Sequence, residues 1–357
     1  MAAMTEAEHE TPRTRAGFAE YVGALEETGA PLLGHLVFYS VFSGEVTPSL
    51  CRQWFGELGL DLARCPQASR PCDVFERVTG PAGVRRKYSL GERQTRKQRR
   101  TEGAKQREAV LMIRHVSRRD GAIARRLVRE VRDEERVALD YEAGLALIEF
   151  SPDDTPASDP GSGALRIAPN RDAIAALPQA EQAEVVAALA EVRDSFERGR
   201  RYLSGDKLRA VVRDYIESFS PIIMRPTGGV YFVGVQHAQM LGALRELVGR
   251  FGHGSNLNRV PIADQDEMRE MVIAAFIARA DTELQKLADE IAKAQQSGVT
   301  TAVVKALWER FSELQKAAAE HEAVLSGAVG DTEASMRMVE LQLTGLLMGA
   351  GTGEEGR

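Results

Sequence analysis

The residues best equipped for chemistry in this sequence are its arginines. Residues 85–132 hold 17 Lys+Arg and 5 Asp+Glu, a local charge of +12, so the rest of a chain whose net charge is −6 carries −18. Arg93, Arg96, Lys97, Arg99 and Arg100 stand in a polar run, and Arg118, Arg119, Arg125 and Arg126 come in pairs within an alternating apolar pattern. A guanidinium fork matches phosphate oxygens better than a bare ammonium charge does. Several such contacts release counterions and give salt-sensitive, sequence-tolerant binding to DNA or RNA. Tyr88 is the only Phe, Tyr or Trp between Gly80 and Val137, which leaves little for base stacking. A plainer explanation competes: the stretch pairs with acidic residues elsewhere in the chain or in a second copy.

Other reactive side chains lack a catalytic arrangement. Cys51, Cys65 and Cys72 are odd in number and contain no Cys-x-x-Cys pair, so they read as buried thiols of a reducing, cytoplasmic compartment. The six histidines (His9, His35, His115, His237, His253, His321) show no metal-ligand spacing. The sequence contains no phosphate-binding glycine loop, nucleophile elbow or paired-histidine zinc motif. Gly228-Gly229 reads as a hairpin turn. Glu134-Glu135 and Asp153-Asp154 read as solvated charge. No catalytic residue, metal ligand or cofactor is therefore expected.

The elements that would position the arginines suggest an α+β chain. Residues 1–15 read as a tail and 17–27 as a short helix. Residues 36–42 (LVFYSVF) read as a buried strand, and Thr47-Pro48 as a capped helix start. A second helix begins at Pro71. Residues 85–107 read as an exposed basic loop, and from Val110 to Phe150 the pattern is that of a β-meander with a turn at Asp120-Gly121. This gives an N-terminal domain over 16–150. Residues 151–163 (SPDDTPASDPGSG) read as a linker.

A central domain, 164–263, is expected to run helix, helix, β-hairpin, helix, which is the element order of a winged helix. The helix over 206–219 would then be the recognition helix, presenting Lys207, Arg209 and Arg213. Asp206, Asp214 and Glu217 weaken that surface. Residues 265–296 and 304–325 then carry apolar residues at alternating spacings of three and four. Ile277, Leu284, Leu287 and Ile291 mark one seam, and Val304, Leu307, Phe311, Leu314 and Leu325 the other. Two such helices joined by a short turn predict an antiparallel helical hairpin. It either covers its own domain or projects as an arm that binds a partner. A third helix from Asp331 completes the region 264–348, and 349–357 reads as a tail.

No run of 18 apolar residues occurs, so no membrane span is expected. Three function classes follow. The first is a non-enzymatic scaffold that self-associates or binds a protein through residues 265–325. The second is a nucleic-acid-associated protein that uses the basic stretch, and the third is an enzyme of unidentified class.

Three stretches carry a resemblance: LVFYSVFSGEVTPSLCRQWFGELGL, PCDVFERVTG, and YLSGDKLRAVVRDYI followed by GGVYFV. They are similar to an uncharacterised domain-of-unknown-function family of actinobacteria and their phages, over most of residues 36–250. The resemblance implies a cytoplasmic protein, and it carries no catalytic residue.

Overall fold

The computed structural model describes residues 29, 31–90, 107–132, 138–153, 155, 161–225, 227–297, 301–325 and 330–354. The expected tail over 1–15 and the helix over 17–27 lie outside them. The chain forms two compact units. One, the sheet-and-bundle unit, comprises Met1–Ser43, Trp54–Arg64 and Leu208–Arg357; the other, the meander unit, comprises Gly44–Gln53 and Cys65–Lys207.

The meander unit is built on a five-stranded antiparallel sheet in the order β2-β3-β4-β5-β6. Its strands are β2 (Arg85–Leu90), β3 (Arg107–Arg119), β4 (Ala122–Arg132), β5 (Ala138–Pro152) and β6 (Gly163–Pro169). Helix α1 (Pro48–Glu57) starts in this unit as the sequence predicts, with the Leu50 amide donating to Thr47 Oγ1 at 3.2 Å. Helix α2 (Pro71–Thr79) opens on proline and buries Val74, Phe75 and Val78. A short helix, α3 (Arg171–Ala175), leads into α4 (Gln179–Arg201), which turns Val185, Ala188, Val192 and Phe196 inward. These residues meet Leu111, Ile123, Leu127, Ile148 and Phe150 of the sheet in one core. Side chains alternate across a strand, so one face of β3 and β4 packs on α2 and α4 while the other points away.

The sheet-and-bundle unit holds β1 (Leu32–Ser40), β7 (Ile222–Ile223), β8 (Tyr231–Gly234) and β9 (Asn256–Ala263), in the order β7-β8-β1-β9. Helix α5 (Gly205–Ser218) enters this unit at Leu208, and α6 (Ala238–Arg250) lies between β8 and β9 in the chain. Four further helices follow: α7 (Asp266–Ser297), α8 (Thr301–Glu320), α9 (Glu322–Leu325) and α10 (Gly330–Glu354). Leu284, Leu287, Ile291, Val304, Leu307, Phe311, Leu314 and Leu325 are all buried, with Ile277 partly buried against them. They share one core with Leu33, Ile222, Phe232 and Ile262 of the sheet and Val339 and Leu343 of α10. Each large apolar side chain so buried contributes about 1.5–3 kcal/mol. The predicted seam is thus zipped, and it is closed by the unit's own sheet and third helix rather than held out as an arm.

Four expectations need correction. Arg85–Leu90 is a strand, because its side chains alternate between exposed and half-buried and Tyr88 turns inward. Residues 91–106 of the expected basic loop lie outside the described residues. Residues 151–163 do not separate domains: Ser151 pairs with Ala164 and Pro152 with Gly163, so the stretch connects a β5–β6 hairpin. The central domain over 164–263 is divided, with 164–207 in one unit and 208–263 in the other. Its hairpin is no free wing, because β8 is hydrogen-bonded on its far side to β1. Finally, helix α10 continues through Glu354, beyond the expected helix end near residue 348. Among the described residues no helix is long and apolar enough to cross a membrane.

Candidate polyanion-binding face

The arginine-rich strands of the meander unit owe their register to two local features. Asp120 and Gly121, with φ of 49° and 79°, form the two-residue turn between β3 and β4 that matches strand twist. Near the turn the pairing runs Arg119↔Ala122, Arg118↔Ile123 and Ser117↔Ala124. A bulge then takes Val116 out of the ladder, and pairing resumes as His115↔Arg125 and Arg114↔Arg126. Without the bulge, Arg114 would stand opposite Leu127. The bulge instead sets two guanidinium groups directly across from each other, an arrangement that costs a few tenths to about 1 kcal/mol unless an anion joins them.

Arg114 and Arg126 lie on the face turned away from α2 and α4. Arg85, opposite Met112, and Lys87, opposite Val110, fall on the same face by strand alternation. A small cluster of Val110, Met112 and Val128 lies among them. A cleft of about 630 Å³ adjoins this face, where β2 begins and the outer edge of β3 past Met112 has no strand partner among the described residues. It is lined by the turn from Thr79 to Val84, by Met112–His115 of β3, and by Arg85, Arg125 and Arg132. Among the described residues no acidic residue lines it, although Glu130 lies against two of the lining arginines, Arg132 at 2.9 Å and Arg114 at 3.9 Å. The turn is tight at Gly83, where a Cβ would lie 2.0 Å from the Val78 carbonyl oxygen, so only glycine fits.

Internal pairing neutralises part of the basic stretch. Arg86 bonds Glu184 at 2.9 Å and Glu191 at 3.2 Å, and Arg118 bonds Glu76 at 2.6 Å. Arg132 grips both oxygens of Glu130 at 2.9 Å, which holds that carboxyl below its ordinary pKa. Arg129 Nε donates to Glu181 Oε2 at 2.7 Å, and the Tyr88 hydroxyl donates to the same oxygen at 2.8 Å. Tyr88 is thereby committed to the core and is not a stacking platform.

The other cations are differently placed. Among the described residues Arg85, Lys87, Arg107, Arg119 and Arg126 form no salt bridge, and Arg114 approaches Glu130 only to 3.9 Å while 55 % of its side chain stays exposed. Arg125 lies over the Phe75 ring at 5.6 Å, with its Nε buried and unbonded. Burial pushes its guanidinium below the ordinary pKa, and the nearby Arg118 cation adds to this.

Arg93, Arg96, Lys97, Arg99 and Arg100 lie outside the described residues. Lys207 Nζ donates to the Gln67 carbonyl at 2.7 Å, and Arg209 donates to the Val41 carbonyl at 3.1 Å. Arg213 lies 3.8 Å from both Asp214 and Glu217. Lys207 belongs to the same unit as the arginines of β2–β4, whereas Arg209 and Arg213 belong to the other. Cys51 and Cys65 are buried and Cys72 is half-buried, and burial pushes the Cys51 thiol up to about 12, as suits an inert thiol.

Sequence reasoning missed one cluster in the sheet-and-bundle unit. His237 Nε2 lies 2.8 Å from Glu320 Oε1, and Gln236 donates to the same oxygen at 2.6 Å. The buried His321 reaches the Ser220 carbonyl at 3.0 Å. The partners are 83 and 101 residues apart in the chain, so no local spacing announces them. Among the described residues no group of three His, Cys, Asp or Glu side chains is placed to hold a metal ion.

The fold is that of an α+β protein of two units. Residues 32–351 match the model of a family of unknown function, DUF6744, and the chain belongs to that family. No curated protein and no solved structure matches it.

Proposed function

We propose that this protein binds a phosphate polyanion, DNA or RNA, on the arginine face of β2–β4. The observation that carries the reading is the opposition of Arg114 to Arg126 beside a cleft that has no acidic residue in its lining among the described residues. A fold that gains nothing from that repulsion gains a counter-charge when phosphates sit between the two guanidinium groups. Arg85 and Lys87 extend the row along the same face. With no free aromatic in the stretch, recognition is of the backbone, and binding should be tolerant of sequence. Fluorescence anisotropy with labelled single- and double-stranded oligonucleotides at low salt tests this. The triple variant Arg85→Ala, Arg114→Ala, Arg126→Ala should bind at least tenfold more weakly, whereas unchanged affinity removes the proposal.

A second reading, a scaffold acting through the helical region, is favoured by a separate observation. Met338 and Leu341, on the outer side of α10, are 63 % and 74 % exposed. The contact would use that outer stripe, because the inner seam is already filled. Light scattering on the whole chain and on Met338→Lys, Leu341→Lys tests it. A monomer in both cases eliminates self-association by this route.

A further inference from the structure

A cleft of about 600 Å³ opens in the sheet-and-bundle unit between the end of α5, the β7–β8 hairpin, α7 and α8. Its volume falls within the range of small-molecule sites, roughly 300–1,000 Å³. Ile222, Phe276 and Leu314 line it, and none is more than 7 % exposed, so the apolar wall is part of the fixed core.

Three cations reach the cleft, and they are not equivalent. Arg310 is saturated by Glu290 at 2.9 Å and Glu283 at 3.3 Å. Arg279 makes only a long bond, 3.4 Å, to the Pro221 carbonyl. Neither Arg279 nor Lys316 forms a salt bridge among the described residues. The carboxylates divide the same way. Glu283 is held by Lys286 and Arg310, and Glu217 lies against Arg213. Glu313 alone of the lining carboxylates forms no ion pair among the described residues.

We infer that this cleft binds a monoanionic carboxylate with an apolar tail. The head group is held by Arg279 and Lys316, and the tail lies against Ile222, Phe276 and Leu314. The cleft lining holds three cations and three carboxylates, so it has no excess positive charge as a whole; the open pairing is local, at Arg279 and Lys316. Two donors there suit the two oxygens of one carboxylate, and the Glu313 charge beside them opposes a dianionic phosphate ester. The site lies in the other unit from the arginine face, so either proposal stands or falls alone.

Isothermal titration of the full chain with octanoate tests the inference, with octylamine, 1-octanol and octyl phosphate as competitors of the same tail. Saturable binding of one octanoate per chain is expected, with the amine and the alcohol weaker by about tenfold or more, the scale of one charge-assisted contact. Lys316→Ala, an exposed position outside the core, should weaken octanoate about tenfold, and Arg279→Gln should do so at least as much. The inference is overturned if octanoate does not saturate, if octylamine or 1-octanol binds as tightly, if octyl phosphate binds more tightly, or if Lys316→Ala leaves the affinity unchanged.

Discussion

Replacing Phe311 by alanine probes whether the heptad seam is closed inside one chain. Phe311 has no exposed surface and belongs to the core that joins α7, α8 and α10 to the four-stranded sheet. Its ring lies 6.1 Å from that of Trp308. Truncating a fully buried phenylalanine costs about 3–5 kcal/mol, the lost transfer energy plus the cavity left behind. Given a urea dependence of about 1–3 kcal/mol per molar, the unfolding midpoint should fall by roughly 1–5 M. Trp308 packs against this core, so in a Trp54→Phe background its fluorescence follows the unfolding of this unit. The wild-type midpoint should be the same across a roughly fiftyfold range of protein concentration, since an internal seam involves no mass action. A loss below about 1 kcal/mol, or a midpoint that climbs with concentration, would refute the internal seam and point to a second chain filling it.

Three further outcomes follow from buried polar groups and close contacts. His35 is 5 % exposed with Nδ1 unbonded, and burial, helped by the Arg259 cation, lowers its pKa from 6.5 to about 4. The unfolded chain therefore takes up this proton first as the pH falls. The stabilising contribution is complete above about 6.5 and is lost toward pH 4, an acid-side destabilisation on the order of 3 kcal/mol that His35→Gln should abolish in a pH series of urea melts. Glu181→Leu removes the carboxylate that both Arg129 and Tyr88 bond, and should cost about 3–5 kcal/mol in the meander unit. The double variant Arg129→Met, Glu181→Leu should recover most of that in calorimetry; no recovery would show that the pair is not the source of the loss. Gly34→Ala would place a Cβ 2.2 Å from the Val233 carbonyl oxygen. It should open the β1–β8 pairing and accelerate amide exchange at Leu36 and Phe232, and normal exchange would contradict the register.

Much of the local structure was legible in the sequence, and most of the long-range pairing was not. The Thr47 cap, the Asp120-Gly121 turn and the three-and-four spacing of the seam are set by residues a few positions apart. What the seam faces is decided by strands near residues 36, 232 and 262, and a helical stripe carries no record of them. The winged-helix expectation failed for the same reason, since element order does not specify that β8 pairs with β1. Ser151–Gly163 has the composition of any polar connection, so a hairpin loop and a domain linker look alike there. Arg85–Leu90 was hidden by its charge, which masked an alternation that only Tyr88 and Leu90 betray. The candidate face was half visible. The arginines stood out, but the Val116 bulge that sets Arg114 against Arg126 is a matter of register and leaves no mark in composition.

Phosphate binding at the arginine face is tested most directly by the salt dependence of oligonucleotide affinity. If Arg85, Lys87, Arg114 and Arg126 each displace one counterion from duplex DNA, log K should fall against log salt with a slope of roughly −3.6, and the triple alanine variant should retain a slope of roughly −0.9. Coincident slopes for wild type and variant, or an affinity that salt does not change, would contradict the claim that this face binds phosphates.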